Sequence, residues 1–299
     1  MMAADTARGV HGALMDEAAA SAANSAAGPG MPAVIRGCAS SKNAKSITVI
    51  FPAYNEERNI RSAMVRAVEA MRPRFHVFEL LIINDGSTDG TGKVAEELAR
   101  TYPEITVIHN RENLGLGETL YRGFQCARGE LVIQNAMDYP FDLCDLDKMI
   151  PLLEEADVIA AVRKGHAGYT AYRKVASRVN RFLLRLLFYP KLRDYNYTQL
   201  FRKEVLRAAR PSSRSTVFMV PETLIRAHEL GFRITELDID YYPRLFGKAT
   251  SGKPSIVLRS LRDMFGFWIQ RRLHRGRADQ AAAAVFPSEP ITKVGHHFS

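Results

Sequence analysis

Cysteine is scarce in this sequence. Its three copies, Cys38, Cys126 and Cys144, are neither paired nor spaced as metal ligands. That points to a reducing compartment and excludes a disulfide frame or a zinc site as the basis of the fold. Also missing is any run of about eighteen apolar residues, so no transmembrane helix is expected. The first residues lack a basic start followed by an apolar core and read Ala, Gly, Ser and Asp instead. No secretory signal is expected, and the reading places the protein in the cytoplasm, peripheral to the inner face of a membrane. There is no repeat of solenoid length. No zinc-finger or RNP-like pattern is found either, which sets nucleic acid aside as a partner.

What is present is a chain long enough for a full-sized core, with 46% hydrophobic and 24% charged residues and a net charge of +9. Much of the basic excess lies late, from Arg163 to Arg277, interleaved with apolar residues. That distribution fits a phosphate-rich substrate or an anionic membrane surface. Residues 1–45, rich in Ala, Gly and Ser, are expected to form a disordered arm, and 276–299 a flexible tail. Between them lies one domain, 46–275, with a nucleotide-binding half at 46–162 and an acceptor half at 163–275.

Within the first half, strands alternate with helices. Strands are expected over Ser46–Pro52, Phe78–Ile83, Ile105–Ile108, Leu131–Ile133 and Val158–Val162. Helices are expected over Glu56–Met71, Thr88–Thr101, Gly117–Ala127 and Leu146–Glu154. This order implies an α/β fold, a mainly parallel sheet sandwiched by helices, with ligands beyond the carboxyl ends of the strands.

Three polar loops stand at those ends. Pro52-Ala53-Tyr54-Asn55-Glu56-Glu57 follows the first strand. Pro52 ends sheet pairing, and Asn55 is suited to cap the next helix. Asn84-Asp85-Gly86-Ser87-Thr88-Asp89-Gly90-Thr91 follows the second strand and holds more acids and hydroxyls than one cap requires. Asp85, at the very end of its strand, is placed to accept hydrogen bonds from a base or ribose; Asp89 reads equally well as a cap. Asn110-Arg111-Glu112-Asn113-Leu114-Gly115-Leu116-Gly117 leads into a helix, where glycines let the backbone approach an anion.

Taken in order with Gly123-Phe124-Gln125-Cys126-Ala127-Arg128-Gly129-Glu130, these motifs resemble a GT-A-fold (Rossmann-like) glycosyltransferase of the family 2 type. Gly115-Leu116-Gly117 is most similar to the dolichol-phosphate or polyprenol-phosphate mannosyltransferase branch, and the resemblance runs over 46–268. It implies that Pro52, Ala53, Asn55, Glu56 and Asp85 hold the nucleoside of a nucleoside-diphosphate sugar, GDP-mannose or a UDP-sugar, with Tyr54, Ser87, Asn113, Gly115 and Gly117 completing the donor site. It also implies an inverting displacement at the anomeric carbon.

One motif departs from that pattern. Where the family has Asp-x-Asp to bind a metal, this chain has Asn135-Ala136-Met137, followed by Asp138. Met is a poor ligand for Mg²⁺ or Mn²⁺, which want oxygen donors. Two readings stay open: Asn135 and Asp138 hold the ion after a local shift, or Arg and Lys neutralise the diphosphate with no metal.

In the second half, Asp194 is expected to order an acceptor loop, Arg202 to reach phosphate, and Glu222 to lie near the acceptor. Tyr242–Thr250 resembles the family's late Arg-x-x-Gly segment, which implies a loop closing over the diphosphate through Arg244 and Lys248. Two helices are amphipathic with basic flanks, one through Val175, Val179, Phe182, Leu183 and Leu186, the other through Leu258, Leu261, Phe265 and Trp268. They fit core packing or an interfacial position on anionic lipid.

The leading expectation is hexose transfer to a polyprenyl phosphate. A phosphate monoester, with a second pKa near ~6, is already a nucleophile at neutral pH. A hydroxyl acceptor, soluble sugar or natural product, would need Asp194 or Glu222 as general base. A third reading is a catalytically silent nucleotide-sugar-binding protein.

Overall fold

The structure, a computed structural model, describes residues 42–164, 171–240 and 254–285. Seven strands form one sheet: β1 (Ile47–Ala53), β2 (Phe78–Asn84), β3 (Ile105–His109), β4 (Leu131–Gln134), β5 (Val158–Lys164), β6 (Gln199–Arg202) and β7 (Ile234–Asp240). Their order is β3-β2-β1-β4-β6-β5-β7. Every pairing is parallel except those of β6, which runs antiparallel to both β4 and β5. Reversing twice leaves β5 parallel to β4, so the carboxyl ends of β1, β2, β3, β4 and β5 share one edge.

The inner strands are buried on both faces, as a covered parallel sheet demands, while the edge strands β3 and β7 are only half-buried. Along β1, Ile47, Val49 and Phe51 enter one core while Ile50 enters the other, the alternation that a period of two imposes. The first core is closed by α1 (Ile60–Met71) and α2 (Thr91–Thr101) through Met64, Val68, Ala95 and Leu98. The second is closed by α3 (Leu116–Cys126), α5 (Ala171–Leu187), α6 (Lys203–Ala208), α7 (Met219–Glu229) and α8 (Pro254–Val285). Phe188, Phe218 and Phe267 stack there with ring centroids 5.7–6.2 Å apart.

The expected strands are all found. The helix expected over Leu146–Glu154 is instead broken into a 3₁₀ turn at Leu143–Asp145, α4 (Leu146–Met149) and a second 3₁₀ turn at Pro151–Glu154. Pro151 explains the break, because its ring has no N–H and obstructs the preceding turn. Helix α8 continues to Val285, beyond the boundary expected at residue 275.

Close approach fixes the base of β1. Thr48, fully buried, receives hydrogen bonds at Oγ1 from the N–H groups of Arg128 (3.1 Å) and Gly129 (2.9 Å) and donates to Glu79 Oε2 at 2.8 Å. A Cβ on Gly129 would lie 2.5 Å from the backbone of Ile47 and Thr48. Gly129→Ala is therefore expected to destabilise the fold by about 2 kcal/mol through overpacking. The check is a lowered urea midpoint with an unchanged m-value.

Candidate active site

The loops after β1 and β2 are laced together before any ligand is considered. Asn55 adopts a left-handed backbone (φ 56°), tolerable for asparagine. Its Oδ1 accepts from Thr88 N at 2.9 Å, and its own N–H donates to Ser87 Oγ at 3.0 Å. Glu56 N donates to Thr91 Oγ1 at 2.8 Å, and the Glu57 carboxylate accepts from Gly90 N at 3.1 Å. These bonds hold the segment out of helical geometry, so α1 begins at Ile60 and Asn55 is not its cap. Asp89 takes the structural role, accepting from Thr91 N (3.0 Å) and Thr91 Oγ1 (2.5 Å) at the start of α2. Burial pushes its carboxyl upward, but the hydrogen bonds from Thr91 and Glu57 outweigh that and hold it below the usual range.

Asp85 is buried and binds the third loop. Its Oδ1 accepts from Asn110 Nδ2 at 2.8 Å and Leu114 N at 2.9 Å, and its Oδ2 from Gly115 N at 2.9 Å. Its backbone N–H reaches Ala53 O at 2.8 Å. Gly86, at φ 65°, lets the backbone of Glu112 come closer than any side chain would permit. The carboxylate expected to face a base or ribose thus first organises its neighbours. Tyr54 and Asn113 are exposed on the same rim.

The two glycines of the third loop divide. Gly115 has φ 84° and open space where a Cβ would stand. Gly117 is closed off by the Arg214 carbonyl, which a Cβ would strike. A carbonyl oxygen repels an anion, so the expected phosphate contact at Gly117 is replaced by packing of α3 onto the Arg214–Ser215 backbone.

At the end of β4, Asn135 is buried. Its Nδ2 donates to Phe141 O at 2.9 Å, and its Oδ1 accepts from Ala136 N at 3.0 Å. Met137 lies in the first core, 3% exposed. Tyr139, left-handed at φ 51°, is buried with the Arg66 guanidinium 4.2 Å from its ring centre. Burial drives its hydroxyl far above the usual range, partly opposed by Arg66. The residues in place of Asp-x-Asp therefore serve loop closure and core packing. They do not fit a hard, octahedral ion: amide atoms already engaged and a buried thioether are the wrong donors. Among the described residues, no group of three or more His, Cys, Asp or Glu could hold a metal.

A cleft of about 480 Å³ opens at this edge. It runs from Pro52, Gln134 and Asn135 at the ends of β1 and β4, past Arg163 at the end of β5, to Val175 and Val179 of α5 and Leu261 of α8. Asp194 is not among the lining residues but pairs with Arg163, Oδ2 to Nε at 2.7 Å and Oδ1 to Nη2 at 3.2 Å, while also accepting from Asn196 N at 3.0 Å. The guanidinium lies 5.4 Å from the Tyr197 ring centre. Gln134 is fixed by donation from its Nε2 to Gln199 Oε1 at 3.3 Å. Its Oε1 and the Ser260 Oγ are buried in the cleft wall with no hydrogen-bond partner among the described residues, the kind of orphan a ligand hydroxyl satisfies.

Two expected residues are elsewhere. Arg202 pairs in register with Leu131 at the opposite end of β4, donates to Leu153 O and lies 3.7 Å from the Asp157 carboxylate as an ion pair, because β6 is reversed. Glu222 is fully buried; its carboxylate receives Ser212 N (2.8 Å), Ser213 N (2.7 Å) and Arg226 Nε (2.7 Å) and clasps the turn before α7. Neither touches the cleft. Asp138 is half-buried beside it and is not among its lining residues. Arg244 and Lys248 lie outside the described residues. Arg163, Gln134 and Tyr197 carry no motif in the sequence. The available signal was that Arg163 ends a strand parallel to β4, at the edge where ligands bind.

Asp85→Ala would leave two backbone N–H groups and the Asn110 amide without their acceptor. A loss of about 3 kcal/mol is expected. Urea denaturation checks it, together with faster amide exchange at Leu114 and Gly115.

The model of the family described as Glycosyl transferase family 2 matches residues 48–209, more than half of the chain. The glycosyltransferase AglD of Haloferax volcanii is 29% identical over 225 residues, 72% of this chain and 36% of that protein. An undecaprenyl-phosphate 4-deoxy-4-formamido-L-arabinose transferase of Proteus mirabilis is 24% identical over 204 residues, 67% of this chain and 61% of its own length. The chain thus spans only part of the relatives it matches. Among solved structures, glucosyl-3-phosphoglycerate synthase from Mycobacterium tuberculosis with Mn²⁺, UDP and phosphoglyceric acid superposes with a TM-score of 0.59 at 17% identity, covering 75% of this chain and 78% of that one. The mannosyltransferase PcManGT of Pyrobaculum calidifontis, in complex with GDP-Man and Mn²⁺, gives 0.52 at 18% identity over 83% of this chain and 77% of that one. These likenesses establish the expected GT-A architecture, and the strand-end loops, the sheet order and the family match together make this chain a member of glycosyl transferase family 2.

Proposed function

We propose that this glycosyltransferase moves a sugar from a nucleoside-diphosphate donor to a polyprenyl phosphate, inverting the anomeric carbon. The observation that carries this reading is the composition of the cleft. Among the described residues none of its lining side chains is Asp, Glu or His. Asp194 and Glu222, the candidate bases for a hydroxyl acceptor, are committed to Arg163 and to the 212–213 turn. A phosphate acceptor needs no base, since it is largely ionised at neutral pH. Its oxygen attacks the anomeric carbon as the bond to the donor diphosphate breaks, and the protein contributes alignment and charge stabilisation.

The walls also suit an amphiphile. They pass from polar strand ends to Val175, Val179, Val257 and Leu261, a path for a prenyl chain. The Proteus mirabilis relative is named for an undecaprenyl-phosphate acceptor, and the solved neighbours hold GDP-Man or UDP. Gln134 Oε1 and Ser260 Oγ are placed to receive sugar hydroxyls.

The acceptor reading extends to the surface. On α5 and just beyond it, Tyr172, Val175, Val179, Phe182, Leu186 and Tyr189 are all exposed, a stripe at helical spacing that the core does not use. Exposed Arg178 and Arg185 flank it, as do Arg259, Arg262 and Arg272 on α8. No helix among the described residues is long and apolar enough to cross a membrane. The chain binds the anionic inner leaflet peripherally through this stripe, at the mouth of the cleft.

Two outcomes are expected. With a labelled nucleotide sugar, label enters the organic phase when polyprenyl phosphate is supplied and not when the free polyprenol is; the reverse result would overturn the phosphate-acceptor reading. Replacing Phe182 by Ser should lower affinity for anionic liposomes about tenfold or more, since burying one such side chain contributes roughly 1.5–3 kcal/mol. Flotation assays measure it, with the urea midpoint unchanged as the control.

A further inference from the structure

We infer that this chain binds the diphosphate of its donor without a divalent cation, the Arg163 guanidinium acting in the ion's place. This rests on the donor reading above and adds how the donor's charge is met.

The argument starts from what each donor atom is doing. A divalent ion in a diphosphate site is held by one or two protein carboxylates, with phosphate oxygens and waters filling an octahedron. At the end of β4 the first position is Asn135, a neutral amide in place of a carboxylate, whose nitrogen donates to Phe141 O and whose oxygen accepts from Ala136 N. The second is Met137, 3% exposed and packed in the core with Ile133 and Phe141. Restoring a carboxylate there would require pulling a core side chain out. Asp138, next in sequence, does not line the cleft.

The cleft has the charge of a site built for an anion. Of the described residues that line it, Arg163 alone carries a charge, and none is a carboxylate. A cation entering such walls meets no compensating ligand, whereas a diphosphate meets a guanidinium. Arg163 is also held still. Asp194 grips its Nε and Nη2 edge, the Tyr197 ring lies 5.4 Å from its centre, and its side chain is only 11% exposed. A guanidinium held along one edge in this way presents a fixed direction for charge-assisted hydrogen bonds to phosphate oxygens. Asp194 moderates that charge, but Arg163 lines the cleft and Asp194 does not. Asp194 is thus a positioning residue for Arg163.

The full-length chain tests this by titration calorimetry with UMP, UDP, UDP-glucose, GMP, GDP and GDP-mannose, each in excess EDTA and again in Mn²⁺. The expected result is that the bound nucleotide has the same dissociation constant, within about twofold, in both conditions, well under the tenfold that 1.4 kcal/mol represents. Binding seen only with Mn²⁺, or tightened by about tenfold or more, overturns the inference while leaving the donor reading intact. If none of these nucleotides binds in either condition, the donor reading itself falls, and this inference with it. Arg163→Gln should weaken diphosphate binding by about tenfold or more while leaving the monophosphate within about twofold, because a charge-assisted pair is lost only at the second phosphate. An unchanged diphosphate-to-monophosphate ratio would remove Arg163 from the role. Should the Gln variant fail to fold, Arg163→Lys keeps a cation against Asp194 but loses the fork, and the same ratio is read from it.

Discussion

The Asp85 carboxylate is the fixed point on which the loops beyond β1, β2 and β3 are organised. It lies where β2 ends, reaches back through its own N–H to Ala53 of β1, and collects Asn110, Leu114 and Gly115 from beyond β3. Three loops separated in sequence are thereby set from one buried anion. Burial is tolerable because three donors converge on it; without them the desolvation of a carboxylate would not be repaid. Around this point a second lacing, Asn55 to Ser87 and Thr88 with Glu56 to Thr91, ties the β1 and β2 loops into one rigid rim. A rim assembled from the protein's own hydrogen bonds is preorganised, so less ordering is required when a nucleotide arrives.

The first half of the fold was readable because its signals are local. The β-branched runs at Ile47–Phe51 and Leu80–Ile83 alternate with helical spacing, and each strand ends on a recognisable turn. Family resemblance is carried by the same stretch. The sequence is silent where a side chain's role depends on distant partners. Nothing adjacent to Gly117 announces that the Arg214 backbone will rest on it, and nothing near Glu222 announces that the 212–213 turn will occupy both its oxygens. Arg202 failed for a topological reason. A four-residue strand carries too little pattern to reveal its direction, and direction alone decides which end of the sheet an arginine joins.

The same limit explains why Arg163 was passed over. In sequence it looks like the first of many basic residues; in the fold it is the last inward-facing step of a strand at the ligand edge, braced by a carboxylate thirty-one residues away. The substituted Asn135 and Met137 were visible from the start as a departure, and the structure gives them a physical meaning: one closes a loop, the other fills a core. The helix α5 shows the complementary case, where a stripe that would ordinarily pack inward is turned outward, with Leu184 on its other side serving the core.

Strand β6 is short, but its reversal has a consequence for how such a protein can vary. Because it runs opposite to its neighbours, the chain enters it at the cleft and leaves it at the far edge. The segment just before it, Asp194 to Thr198, is therefore delivered to the site by a strand whose pairing is settled independently of the nucleotide rim. Lengthening or exchanging the chain between α5 and β6 would reshape that side of the cleft while the β1, β2 and β3 loops keep their register. The sheet thus separates a hydrogen-bonded rim from a wall that can be edited, with one antiparallel strand as the joint between them.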